Sequence, residues 1–274
     1  MTYSIFIPTL PNNILLLERT LESINSNIQI SMEVIVSSHF HCTQIQELVS
    51  QYPFAKYLSF PESNNGSKYI LYNLSLFATS GEYIVLLSDN VIVSKEWSEA
   101  LVKTKGDFTC GKVSVSEHSI VPKKFLKSLF SFYGETNFSE IKTSLEPDQF
   151  LLVDNFIIRR EFLKDKSSLS MLDTFIVQLT CTSSGVNRIY DPSLHIFVIV
   201  KDYKFTNDFL FNRSMEIKSF YRRLNSHIHK DNKAMRIARN VFDFSKYTTL
   251  LYFRPINDCK RFYYQLQRNK IPFN

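Results

Sequence analysis

The residues best placed to do chemistry sit where an apolar run stops. Gly81-Glu82-Tyr83-Ile84-Val85-Leu86-Leu87 ends abruptly at Ser88-Asp89-Asn90, a small polar cluster holding one carboxylate. Buried parallel strands read as continuous apolar runs, and open α/β sheets bind ligands beyond the carboxyl ends of their strands. Asp89 and Asn90 are therefore candidate binding residues, although Asp and Asn also populate ordinary turns through local hydrogen bonds. The remaining reactive side chains say less. Cys42, Cys110, Cys181 and Cys259 lie far apart with no paired CxxC spacing, so neither a disulfide framework nor a zinc site is signalled. His195 stands in an apolar segment, where a lone histidine is more often structural than ligating. His227 and His229, two apart, cannot share one helical face and read as surface residues.

A strand-end carboxylate needs a scaffold. The chain opens with Tyr3-Ser4-Ile5-Phe6-Ile7-Pro8-Thr9, a short β-rich strand ended by proline. A helix with Ile14, Leu17, Leu21 and Ile24 on one face follows, then a second apolar strand, Glu33-Val34-Ile35-Val36. Later come Asp107 to Val113, the apolar segments 150–153 and 155–158, and a last strand, Leu194 to Val200. The order Ile7-Pro8-Thr9, amphipathic helix, Glu33-Val34-Ile35-Val36, Asn65-Gly66, Asn73, Gly81-Glu82-Tyr83-Ile84 and strand-end carboxylate resembles the amino-terminal half of family 2 glycosyltransferases. The resemblance spans roughly residues 3 to 100, with weaker echoes to about 200, and lies in order and spacing, not in any single motif. It implies a GT-A-like α/β fold, a mostly parallel central sheet flanked by helices.

The resemblance also implies a reaction: transfer of a sugar from a nucleotide-sugar donor to a hydroxyl of a glycan or lipid-linked acceptor, with inversion. A departing nucleoside diphosphate needs its charge met, and the acceptor needs a base. The family meets the first need with an Asp-x-Asp motif that ligates Mn²⁺ or Mg²⁺, cations that take oxygen ligands. Here the aligned triplet is Ser88-Asp89-Asn90, with both outer carboxylates replaced, so the implied metal ligands are Asp89 and Asn90. Pro8 and Thr9 match the loop under the nucleotide, and Ser38, in Ser37-Ser38-His39, stands where the family has acidic residues near the base. Lys68, after Asn65-Gly66-Ser67, could reach the diphosphate, since glycine permits close backbone approach. Ser88 completes the implied donor site. Asp173, in Met171-Leu172-Asp173-Thr174-Phe175 after Arg159-Arg160, is the implied base, with Asp148 and Asp154 as substitutes; Asp173 also suits a helix N-cap.

Composition sets the bounds around this reading. With 274 residues, 44% hydrophobic and 21% charged, the chain can bury a proper core. Residues 204–274 carry 15 Lys+Arg against 5 Asp+Glu, a charge of +10, which leaves 17 against 21, or −4, for residues 1–203. The expected organisation is thus a glycosyltransferase-like domain over 1–203, with a nucleotide-sugar half over 1–100 and an acceptor half over 101–203. A basic, aromatic-rich helical extension over 204–274 completes it. Such an extension could lie on an anionic membrane surface or form a solvated face; binding of nucleic acid is disfavoured. Without a basic n-region before an apolar h-region, or about 18 consecutive apolar residues, the expected location is cytoplasmic, with peripheral attachment to the inner face of the membrane allowed. Two other classes remain open: a degenerate relative that only binds, and a nucleotidyltransferase, for which no Gly-rich phosphate loop is visible among the six glycines.

Overall fold

In the computed structural model, the described residues are 2–27, 30–60, 68–104, 106–119, 139–145, 155–164, 181 and 185–200. The apolar opening forms β1 (Tyr3–Pro8), buried along its whole length. A 3₁₀ turn at Pro11–Asn13 leads into α1 (Ile14–Asn27), followed by β2 (Met32–Ser38), α2 (Thr43–Ser50) and β3 (Ala55–Ser59). Next come α3 (Lys68–Phe77), β4 (Tyr83–Leu87), β5 (Val91–Val93), α4 (Trp97–Lys103) and β6 (Phe108–Val115). The remaining described elements are β7 (Thr143–Ser144), β8 (Asn155–Arg159), α5 (Glu161–Lys164) and β9 (Arg188–Val198).

One sheet joins the strands in the order β3-β2-β1-β4-β8-β6-β9-β5, with β7 also on β9. β3, β2, β1 and β4 are parallel, with Ile5 opposite both Val34 and Val85. β8 runs against β4 and β6, while β6 and β9 run parallel to each other and so in the direction of β4. The carboxyl ends of β1, β2, β4, β6 and β9 therefore share one edge of the sheet. The parallel character of the α/β fold resides in its amino-terminal half, and the second half is mixed.

Helices cover the sheet: α3 against β1 and β2, α2 against β3, α4 against β9, and α1 against β5. The stripe expected on α1 is present at Leu17, Leu21 and Ile24, and widens to take in Leu16, Thr20 and Ser23. The hydroxyls explain the widening. β5 ends the sheet, and its outward N–H groups would be a bare edge. Thr20 Oγ1 accepts the Val91 N–H at 3.1 Å and Ser23 Oγ accepts the Val93 N–H at 3.2 Å, so the helix stands in for a further strand.

Two glycines permit close approaches. A Cβ on Gly81 would run into Ser4, whose hydroxyl accepts the Gly81 N–H, so β4 can start tight against β1. A Cβ on Gly111 would meet the Leu194 carbonyl and the Asn155 amide, at the point where the β6–β9 register shifts. There β9 holds extra residues around Pro192, and Asn155 Nδ2 donates to the two carbonyls nearby, Leu194 at 2.8 Å and Lys112 at 3.1 Å.

Candidate functional site

The site is built where parallel strands end. Pro8 closes β1 opposite Ser37, and the Thr9 N–H then donates to the Ser37 carbonyl at 2.8 Å, stitching the loop after β1 to β2. Thr9 Oγ1 turns the other way and donates to Asp89 Oδ2 at 2.8 Å. Asn13, at the end of the 3₁₀ turn, donates through Nδ2 to the same oxygen at 3.0 Å. Three segments thus meet on one carboxylate oxygen. Asp89 and Asn90 are each only 8% exposed, so these bonds are made largely out of water.

Asn90 faces the far side of the edge. Its Nδ2 donates to the Ile199 carbonyl at 3.0 Å and its own carbonyl accepts the Ile199 N–H at 2.7 Å, fastening the β4 end to the chain leaving β9. Ser88 is half-buried beside them, and Tyr72 of α3 donates to the Leu87 carbonyl at 2.8 Å.

The loop after β2 is held as firmly. Ser38 Oγ lies 2.5 Å from the Phe40 carbonyl to which it donates and 2.6 Å from the Tyr57 hydroxyl, which accepts the Cys42 N–H at 2.9 Å. This clasp leaves Phe40 displayed, 64% exposed, while Leu10 on the loop after the adjacent strand is 46% exposed. The sequence pattern singles out neither Phe40, Asn13 nor Tyr57; the signal available for Phe40 is an aromatic residue two positions beyond a strand end.

The expected site residues therefore divide. Pro8, Thr9, Ser38, Ser88, Asp89 and Asn90 come to one edge of the sheet. Lys68 starts α3, with its side chain outside the described residues; Asp173, Asp148, Asp154 and the extension over 204–274 also lie outside them. Arg159 and Arg160, expected near the base, stand at the other edge. Arg159 pairs with Tyr83 across β4 while Asn155 pairs with Leu87, so four strand steps, about 13 Å, separate the two levels. Both arginines are engaged: Arg159 with Glu82, Asp107 and Glu161, and Arg160 with the carbonyls of Gly81 and Leu76 and the hydroxyl of Thr79.

His195 behaves as a structural histidine. Its Nε2 lies 2.9 Å from Ser114 Oγ and its ring centroid 4.2 Å from that of Phe197. Burial foremost, then the Lys112 charge, holds its pKa down to about 4 against the opposing pull of Glu96, so the ring is neutral at pH 7. Cys110 is buried and its thiol is pushed well above the usual range by that burial.

The cation implied for the triplet can be tested on the donor set. Mg²⁺ and Mn²⁺ need open lone pairs, usually from one or two carboxylates. Asp89 Oδ2 already accepts two hydrogen bonds, Asn90 offers only a neutral carbonyl oxygen, and among the described residues no three His, Cys, Asp or Glu side chains gather. Asp89 Oδ2 is thus taken, and a cation held by Asp89 and Asn90 would have to use the other Asp89 carboxylate oxygen and the neutral Asn90 side-chain oxygen.

No family model and no curated protein matches the sequence. Solved structures do match. S. aureus TarS 1–349 in complex with UDP-GlcNAc superposes with a TM-score of 0.62 at 16% identity, over 93% of this chain and 76% of that one. The mannosyltransferase PcManGT from Pyrobaculum calidifontis in complex with GDP-Man and Mn²⁺ gives 0.58 at 14% identity, over 98% and 81%. TarS 1–349 in complex with UDP gives 0.57 at 16%, over 96% and 78%. The likeness shows the fold: an α/β sheet flanked by helices, of the GT-A glycosyltransferase type.

Proposed function

We propose that this chain is a glycosyltransferase that takes a sugar from a nucleotide-sugar donor and transfers it to a hydroxyl of a glycan or lipid-linked acceptor with inversion. The observation that carries this reading is the convergence of the loops after β1, β2 and β4 on one sheet edge, joined through Thr9 and Asp89. Ligands of open α/β sheets bind at such an edge. The complexes of similar folds with UDP-GlcNAc, UDP and GDP-Man support a nucleotide sugar as the ligand class.

In this reading the base lies over the loop that Ser38 clasps. The Ser38 hydroxyl is occupied, so the exposed face of Phe40 and the backbone of that loop carry base recognition. Pro8 and Thr9 form the floor, Ser88 and Asp89 border the ribose and diphosphate, and Lys68, first residue of α3, supplies positive charge. Asp173 deprotonates the acceptor hydroxyl, which displaces the nucleoside diphosphate directly; the proton passes to the Asp173 carboxylate. The basic segment 204–274 places the enzyme at an anionic membrane surface on its cytoplasmic face.

One observation favours a second reading. With both outer carboxylates of the triplet replaced and the remaining one hydrogen-bonded, the chain could be a glycosyltransferase-like protein that binds without transferring. Thermal unfolding against UDP, GDP, CDP and ADP, and their sugar conjugates, tests both. A ligand at a hundred times its Kd adds about 2.7 kcal/mol of stability. A shift with one base, followed by release of that nucleotide from its sugar conjugate in the presence of acceptor, supports the transferase. A shift without turnover supports the binding protein, and no shift with any nucleotide refutes both.

A further inference from the structure

We propose that Asp89 is a positioning residue, a buried clip whose Oδ2 atom fixes the loop after β1 against the end of β4 and is spent on that loop, not on a divalent cation. A carboxylate oxygen has two lone pairs in the plane of its group, and Asp89 Oδ2 receives two donors, the Thr9 hydroxyl and the Asn13 amide. Both donors are themselves buried, so neither can turn to water without moving its loop. To hand this oxygen to a cation, the protein would have to strip two hydrogen bonds from a buried group and leave two donors unsatisfied.

The surrounding bonds show what the clip achieves. Thr9 is the junction: its N–H holds β2 through Ser37 and its hydroxyl holds β4 through Asp89. Asn13 adds the 3₁₀ turn that starts α1, and α1 covers the β5 edge through Thr20 and Ser23. Asn90, next in the chain, is fastened on the opposite side to Ile199. Two adjacent polar residues thus tie the β4 end in two directions. The carboxylate serves better than a neutral side chain because charge-assisted hydrogen bonds are the stronger kind.

The clip itself holds whatever the ligand is; only its effect on nucleotide affinity rests on the donor-site reading. The test uses the full chain and Asp89→Asn, Asp89→Ala and Thr9→Val, with thermal unfolding recorded alone and with UDP or GDP. Asn keeps an oxygen that can accept from both Thr9 and Asn13. The expected result is that Asp89→Ala lowers Tm by roughly 5 °C or more while Asp89→Asn recovers most of that loss. Thr9→Val should lower Tm in the wild-type background and have little further effect beside Asp89→Ala. Asp89→Ala should also shrink the shift that UDP or GDP gives, and Asp89→Asn should restore most of it. The proposal is overturned if Asp89→Ala keeps the wild-type Tm. Equal costs of Thr9→Val in both backgrounds would also overturn it. If Asp89→Ala does not fold, Asp89→Asn alone and combined with Thr9→Val supply the same comparison. A wild type that responds to no nucleotide would refute the donor site and leave the clip standing.

Discussion

Asn155 offers the sharpest check on how the sheet is held beneath the site. It is 2% exposed at the start of β8, opposite Leu87 and one residue short of the polar cluster at the β4 end. Its Nδ2 donates to Leu194 and Lys112 carbonyls at 2.8 and 3.1 Å, where the β6–β9 ladder is interrupted, and its Oδ1 accepts a long bond of 3.5 Å from Trp97 Nε1. Asn155→Ala removes both donors. Losing the donor to the buried Leu194 carbonyl costs about 1–2 kcal/mol, losing that to the part-buried Lys112 carbonyl about 0.5 kcal/mol, and the small cavity about 1 kcal/mol besides, so a total of about 3 kcal/mol is expected. Asn155→Asp preserves the volume but aims a carboxylate oxygen at two carbonyl oxygens, so it should be worse than alanine. Urea unfolding at pH 7, with unchanged m-values, gives both numbers. If shape were what mattered, the Asn155→Asp variant would be close to wild type; an aspartate variant as stable as wild type, or more stable than alanine, would refute the reasoning.

Gly111→Ala should cost more than about 2 kcal/mol, because the new methyl group meets the Leu194 carbonyl and the Asn155 amide; urea unfolding of the purified variant measures it. Phe40→Ala should leave the unliganded Tm within about 1 °C, since the ring is mostly exposed, while weakening nucleotide affinity about tenfold through lost base stacking, as calorimetry would show. His195, with its pKa lowered to about 4 from an ordinary 6.5, favours the folded state only while neutral. Its contribution is complete above about pH 6.5 and is lost as pH falls towards 4, by about 1–2 kcal/mol for a half-buried ring; His195→Gln should flatten stability across that window in urea titrations at stepped pH.

What the sequence disclosed follows from how each element is buried. The centres of β1, β2 and β4 are buried and read as apolar runs, Ile5-Phe6-Ile7, Val34-Ile35-Val36 and Tyr83-Ile84-Val85-Leu86-Leu87. β3 is half-exposed along Ala55-Lys56-Tyr57-Leu58-Ser59, so it shows no such run and the apolar pattern does not announce it. The last strand, expected from Leu194 to Val200, instead spans Arg188–Val198, because Asp191-Pro192-Ser193 breaks the apolar pattern where the strand bulges. Proline is tolerated in a strand at just such an interruption.

The site was legible in position and illegible in connection. That polar residues end β1, β2 and β4 follows from local pattern, and parallel pairing then brings them to one edge. That Asp89 spends an oxygen on Thr9 and Asn13 depends on contacts 80 and 76 residues apart, which no local spacing records. The residue types that ligate a cation, a short carboxylate beside hydroxyls and amides, are also those that fasten one loop to another. What separates the two uses is whether the donors reach the carboxylate before a ligand can, and around Asp89 the chain has supplied them itself.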